Sequence, residues 1–180
     1  MGRLDWKRGR FSSDFETNQI NEGMRGYQSA QTYDEIQYYR FSHRLSEMGD
    51  VYDEGVGVGK VYRPPVTVPV LHAIHDEGAN EDLDTGFYFN DDLHITASFD
   101  QLFRTGLVFQ DIRTNKYLKD RIVYDTRVFK VTNIEILGQV RERDVIVSIQ
   151  ATQVKPDELV NDPQFAEFLT ESPYLDGDVL

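Results

Sequence analysis

The sequence predicts a mainly β protein: a small antiparallel β-barrel or sandwich, with an N-terminal helix or extended arm and a short C-terminal helix and tail. Three observations carry this. Residues 143–154, "RDVIVSIQATQV", set Val145, Val147, Ile149 and Ala151 at period two, the spacing of one face of a strand. Residues 120–138, "DRIVYDTRVFKVTNIEILG", hold Ile122 and Tyr124 before a polar corner at Asp125-Thr126. Val128, Phe129, Val131, Ile134 and Ile136 follow it. From residue 66 onward, further short apolar runs alternate with turn signals, the pattern of a small all-β domain.

Taken in order, the first 30 residues are polar but carry Trp6, Phe11 and Phe15. They read either as an arm whose aromatic anchors dock on a partner or as a segment packed on its own domain. "TYDEIQYYRFSHRLSEMG", residues 32–49, reads as a helix, with Thr32 as cap and Glu35 at capping-box spacing. "EGVGVGKVY" (54–62) reads as a glycine joint leading into the β-domain. "VTVPVLHAI" (66–74) is a strand kept to an edge or a bulge by Pro69, because proline removes a ladder donor. "HDEGANEDLDTG" (75–86) reads as a long acidic loop, and "FYFNDDLHITASF" (87–99) as two short strands joined at "NDD".

"SFDQLFRTGL" (98–107) is a short helix with Ser98 as cap and Gly106 as stop. "GQVRER" (138–143) is a charged hairpin connection between paired strands. "DPQFAEFLTE" is a second short helix, with Asp162 as cap and Pro163 at its first position. The expected division is an arm with one helix and the joint over 1–60, a β-barrel over 61–155, and an acidic segment over 156–180.

Charge is distributed unevenly. Residues 1–10 hold four basic residues against Asp5, for +3, so the remainder of a chain of net charge −12 stands at −15. From Pro156 onward there are seven acidic residues and no Lys or Arg. A basic head and an acidic tail suit contacts between copies, although solvated termini have the same composition. An acidic total argues against a nucleic-acid clamp and fits a pore along which nucleic acid slides. The chain has no cysteine, which excludes disulfides and thiolate-bound zinc or iron–sulfur clusters. The start lacks the apolar core of a signal peptide, and no stretch approaches the roughly 20 apolar residues of a membrane span, so a cytoplasmically made protein without a membrane partner is expected.

Tests for chemistry come out negative. A phosphate loop counted back from Gly59-Lys60 needs glycine where Glu54 stands and a hydroxyl where Val61 stands. The prolines of "VYRPP" cannot open the helix that such a loop requires. His72 and His75 lie three apart, which in an extended chain turns them to opposite faces. No register from Asp76, Asp82 or Asp84 fits a calcium hand. No nucleophile elbow is present. The expectation is no enzyme, no catalytic residue, no metal and no cofactor.

The stretch "DRIVYDTRVFKVTNIEILGQVRERDVIVSIQATQV" resembles the C-terminal hairpin unit of tailed-phage head–tail connector proteins, most of all the head-completion or stopper (head-closure) class. The phrase D-R-I-x-Y-x-x-x-x-F-x-V stands here as Asp120, Arg121, Ile122, Tyr124, Phe129 and Val131. The corner "DTR" lacks the glycine expected there, and the chain is longer at both ends than a minimal stopper.

The resemblance implies a structural virion protein of the phage neck, assembled in the host cytoplasm. In such a protein, copies form a ring around the DNA channel, and arms and tails bind a portal or adaptor ring and the tail tube or tail terminator. DNA passes with only non-specific contact. The alternatives are a tail terminator or tube component, or a non-viral adaptor that captures peptides at a sheet edge. Candidate contact residues are Trp6 and Phe11 in the arm, Glu77, Glu81, Asp82 and Asp84 in the acidic loop, and Arg141 and Arg143 at the hairpin tip. The two arginines are placed to meet the acidic tail of a neighbour.

Overall fold

The computed structural model describes residues 13–32, 34–46, 60–78, 80–83, 86–89, 91–140, 143–159 and 162–169. The glycine joint over 54–59 lies outside them. The fold is mainly β and antiparallel. Seven strands run in the order β2 (Val66–Pro69), β1 (Glu35–Tyr39), β7 (Arg121–Tyr124), β8 (Arg127–Val140), β9 (Arg143–Gln153), β6 (Asp92–Ser98) and β3 (His72–Asp76). A separate hairpin joins β4 (Asn80–Leu83) to β5 (Gly86–Phe89).

The two edge strands are neighbours in sequence. Only Val70 and Leu71 separate β2 from β3, so the edges approach within about 11 Å at that corner, three Cα steps apart. The corner is fixed by two backbone bonds: Val70 donates to Asp34 on the β1 side, and Leu71 donates to Thr96 in β6. The sheet is therefore rolled toward a barrel without a β2–β3 ladder to close it. The single strand expected over 66–74 is two strands, because Pro69 ends one ladder and the chain then crosses to the other edge.

Rolling is helped by bulges in β8. The register shifts between Val131 and Asn133 and again between Ile136 and Gly138, and each bulge adds local twist and bend. The first explains why Val131 and Ile134, three apart, are both buried. The second leaves Leu137 exposed. On β9, Val145, Val147, Ile149 and Ala151 are all buried, as their period requires. The main core lies inside the roll and draws Tyr38, Leu93, Ile95, Ile122, Phe129 and Ile149 from five strands.

A second cluster covers the other side of β1, β7 and β8. There Tyr39, Val123 and Val128 meet Phe41, Tyr62 and Phe165. Phe165 belongs to a 3-10 turn (Pro163–Phe165) that leads into α5 (Ala166–Leu169), with α4 (Pro156–Leu159) before it. Asp162 precedes that turn as expected, but its side chain makes no capping hydrogen bond and is buried.

The helix expected over 32–49 is not formed. Residues 35–39 are β1, with Ile36 and Tyr38 buried toward the core and Glu35 and Gln37 exposed. Ile and Tyr favour a pleated surface, and two neighbouring ladders outweigh a single cap signal. The N-terminal helix is instead α1 (Ser13–Tyr27), followed by a π-turn over Gln28–Thr32, and it lies against β8 and β9. Phe15, an expected anchor, is exposed on α1, while Trp6 and Phe11 lie outside the described residues. The sheet thus draws strands from both sides of position 60. α2 (Phe99–Phe103) starts after Ser98 and is followed by Gly106 at φ +82°, a left-handed position that suits glycine.

The β7–β8 corner turns without glycine. Asp125 and Thr126 both take positive φ, at 47° and 62°, as the favoured two-residue hairpin turn demands. Asp tolerates this region, whereas a β-branched residue does so at a cost. Thr126→Gly is expected to raise stability by about 1 kcal/mol, seen as a higher urea midpoint at unchanged slope. Asp125→Gly should gain less.

Candidate functional site

Two polar clusters flank the start of β7, and the "DRI" phrase supplies one residue to each. Asp120 is 1% exposed. One of its oxygens accepts from the Phe41 backbone N–H at 2.8 Å, and the other accepts from the Tyr38 hydroxyl at 2.9 Å. The Arg40 Nε stands 3.2 Å from the latter oxygen, and the same guanidinium reaches Asp111 at 3.3 Å. Burial raises the Asp120 carboxyl to about 6, against the pull of the Phe41 N–H, Arg40 and Tyr38, with Asp111 adding to the rise. Burial, and then the Asp120 charge, push the Tyr38 hydroxyl well up. The cluster ties β1 to β7 and, through Arg40 and Asp111, to α3 (Phe109–Arg113).

Arg121 points to the other side of the sheet. Its side chain is 2% exposed and donates to Glu158 of α4 at 2.7 Å. Lys60 reaches the same Glu158 oxygen at 3.4 Å. Burial raises the Glu158 carboxyl, but Arg121, Lys60 and Lys130 together outweigh that and hold it below its usual value. In the β7–β8 ladder Arg121 sits directly opposite Lys130, and in the β1–β7 ladder opposite Tyr39. Two like charges facing each other across a ladder repel.

These residues line a cleft of about 450 Å³. Lys60, Lys119, Arg121 and Lys130 contribute positive charge and, among the described residues, Glu158 lines it as a carboxylate with buried Asp162 acting on Lys60 and Arg121 from nearby, while Phe41, Tyr62 and Leu118 supply apolar wall. The Lys119 ammonium lies 5.5 Å from the Phe41 ring centre, and the Arg121 guanidinium 5.9 Å from that of Tyr62. The Tyr62 hydroxyl and the Arg121 Nε are buried with no hydrogen-bond partner among the described residues. Gln164 grips the Tyr62 backbone from both sides, accepting from its N–H at 2.6 Å and donating to its carbonyl at 3.0 Å.

A third cluster sits at the far end of β3. Buried Asp91 accepts from Arg127 at 2.7 Å and from the Gly78 N–H at 3.1 Å, and lies 2.9 Å from the His75 ring. Among the described residues no group of three or more His, Asp or Glu is spaced to hold a metal ion.

The expected contact residues fall elsewhere. Glu77 is exposed just after β3. The acidic stretch is not the open loop expected, because Glu81 and Asp82 sit on β4, in register with Tyr88 and Phe87 of β5. Arg143 begins β9 opposite Val140. Asp84 and Arg141 lie outside the described residues. The basic cleft was not anticipated from sequence, although a signal existed. Once the corner is fixed at Asp125-Thr126, counting outward puts Arg121 opposite Lys130, and the next cation back, the half-buried Lys119, lies two residues earlier.

The chain matches no protein-family model and no curated protein by sequence. Among solved structures, one described as the virion of a native gene transfer agent particle is similar at a TM-score of 0.39 and 12% identity, over 67% of this chain and 93% of that chain. No helix among the described residues is long and apolar enough to cross a membrane.

Proposed function

We propose that this chain is a structural virion protein of a tailed phage, a ring-forming head–tail connector subunit of the neck whose role is architectural and not catalytic. The observation that carries the reading is where the D-R-I-x-Y phrase sits. Asp120 ties β7 to β1, Arg121 ties it to the C-terminal segment, and Ile122, Phe129 and Val131 are buried in the central hairpin. The phrase that resembles the connector class is thus the joint on which sheet and C-terminal segment both hang.

Further support comes from charge and from the termini. A net charge of −12 suits a channel wall along which DNA passes without sticking. Segments appended at both ends of a small rolled sheet add contact area that the sheet lacks. In this reading the partners are other copies of the chain, a portal or adaptor ring on one side, and a tail tube or tail terminator on the other. The location is the virion, after assembly in the host cytoplasm.

Native mass spectrometry and electron microscopy test the reading, with the purified chain alone and mixed with its neighbouring ring. Closed rings are the expected result. A chain that stays monomeric in both samples overturns it.

A second reading, peptide capture by an adaptor, has one observation in its favour: β3 is an edge strand with Ile74 exposed. Ring formation with neck proteins and peptide capture at β3 are separable in the same preparations.

A further inference from the structure

The C-terminal segment, Pro156 to Leu169, lies on the sheet as a strap. The backbone N–H groups of Glu158, Leu159, Asp162 and Phe165 all bond to carbonyls of the segment itself or of Lys155 just before it. Its attachment to the sheet comes from side chains. Glu158 meets Arg121 and Lys60, Gln164 meets the Tyr62 backbone, and Leu159 and Phe165 pack in the outer cluster. That cluster is separate from the core inside the roll. The strap can therefore lift about Lys155 without opening the main core, the kind of local unfolding that leaves the rest of a fold in place.

Asp162 sits within this contact in an unusual state. It is 1% exposed, and neither carboxyl oxygen has a hydrogen-bond donor among the described residues. It stands at the cap position of the turn Pro163–Phe165 yet makes no capping bond, and Pro163 has no N–H to offer. The cations that act on it, Lys60 and Arg121, are both engaged by Glu158 of the same strap. Tyr62 is the further titratable group that feels its charge. A buried carboxylate without donors is costly, and the neutral acid is far less so. Burial accordingly pushes the Asp162 carboxyl up, with Glu158 adding to the rise, against the pull of Lys60 and Arg121. Glu158, whose own burial is outweighed by Arg121, Lys60 and Lys130, is held low.

We propose that the segment is a proton-controlled strap, lying on the sheet while Asp162 is neutral and Glu158 ionised, and lifting when Asp162 ionises to uncover Tyr39, Val123 and Val128. Lifting releases the Asp162 proton to solvent and lets water reach the carboxylate. The contribution of Asp162 is fully present below the 3.8 of the free group and is lost as pH rises through its folded value. That of Glu158 is fully present above the 4.5 of the free group and is lost as pH falls through its folded value. Rising pH thus loosens the strap at Asp162, and falling pH loosens it at Glu158. The device belongs to the single chain and operates whether or not copies form rings.

Amide hydrogen exchange of the parent, D162N and E158Q between about pH 4 and about pH 8 tests this across the titration range. Protection is corrected for the intrinsic acceleration of exchange with pH, and the β9 amides around Val147 and Ile149 serve as reference. In the parent, protection between Glu158 and Phe168 should fall at least about fivefold toward the neutral end, the lower bound for a buried group left unpaired, while β9 changes less. Asn keeps the size of Asp162 but cannot ionise, so the fall should vanish in D162N. E158Q should be looser than the parent at neutral pH and keep the fall.

Equal falls in the parent and D162N overturn the proposal. So does strap protection that is flat or rises with pH relative to β9 in the parent, a profile that decides the matter even where D162N does not fold. Strap and β9 losing protection in step also overturns it, because the carboxyl then acts on the whole fold and not on the strap.

Discussion

Asp120→Ala is expected to destabilise the protein by about 3–5 kcal/mol, read as a fall of roughly 10 °C in the thermal midpoint. The substitution removes the acceptor for the Phe41 N–H and the Tyr38 hydroxyl and strips Arg40 of its nearest carboxylate, all in a buried site. Unpaired buried donors carry the full desolvation penalty. Asp120→Asn separates charge from hydrogen bonding. It keeps an acceptor for the Phe41 N–H but cannot ionise.

The pH dependence of this pair has a definite sign. The Asp120 carboxyl titrates at about 6 in the fold against 3.8 for the free group, so the native state binds the proton more tightly than the unfolded state does. Its contribution to stability is fully present below about 4 and is lost as pH rises through about 6. The two-unit rise is worth on the order of 3 kcal/mol. Glu158, held low by Arg121, Lys60 and Lys130 against its own burial, works the opposite way, and its stabilisation fades as pH falls through its folded value. The stability of the parent relative to Asp120→Asn, from urea titrations between pH 4 and pH 7, isolates the first effect. That difference should grow in favour of the parent as pH is lowered. A flat or opposite trend refutes the assignment of a raised carboxyl.

Strand identity was legible wherever a single ladder face decides burial. β9 shows it best, since Val145 to Ala151 alternate without interruption and each is buried. The β7–β8 hairpin was legible too, even though its corner has no glycine, because Ile122, Tyr124, Val128 and Phe129 flank the polar stretch Asp125-Thr126-Arg127, whose first two residues make the corner. What misled was residues 32–49. There a local cap signal competes with pairing to strands about 30 and 85 positions further on, and no local pattern carries that information. The rolled sheet was hidden for a similar reason. Pro69 announces the end of a ladder, but only the tertiary partners of Val70 and Leu71 say that the chain crosses to the opposite edge.

The basic cleft belongs to a third class. Its cations come from positions 60, 119, 121 and 130, spread over three parts of the sequence. Only the register across β7 and β8, together with the return of α4, gathers them. Charge counts along the chain therefore found the acidic tail, which is contiguous, and missed the basic cleft, whose cations are not.

Phe165→Ala is the second large effect, expected at about 3–5 kcal/mol if the lost packing is felt in full. The ring is 0% exposed and meets Tyr39 at 4.9 Å, Tyr62 at 5.1 Å and Phe168 at 6.4 Å between centres. These contacts hold the C-terminal segment on the outer face of β1, β7 and β8, apart from the core inside the roll. Truncation should therefore act first on that segment. Hydrogen exchange of residues 154–169 should rise steeply, while amides of β9 around Val147 and Ile149 lose protection later, because local opening sets a ceiling on the loss. Global unfolding should fall by less than the full packing value once the segment detaches before the sheet melts. Detachment also withdraws Gln164 from Tyr62 and Glu158 from Arg121. The cleft then loses a wall and Glu158 together.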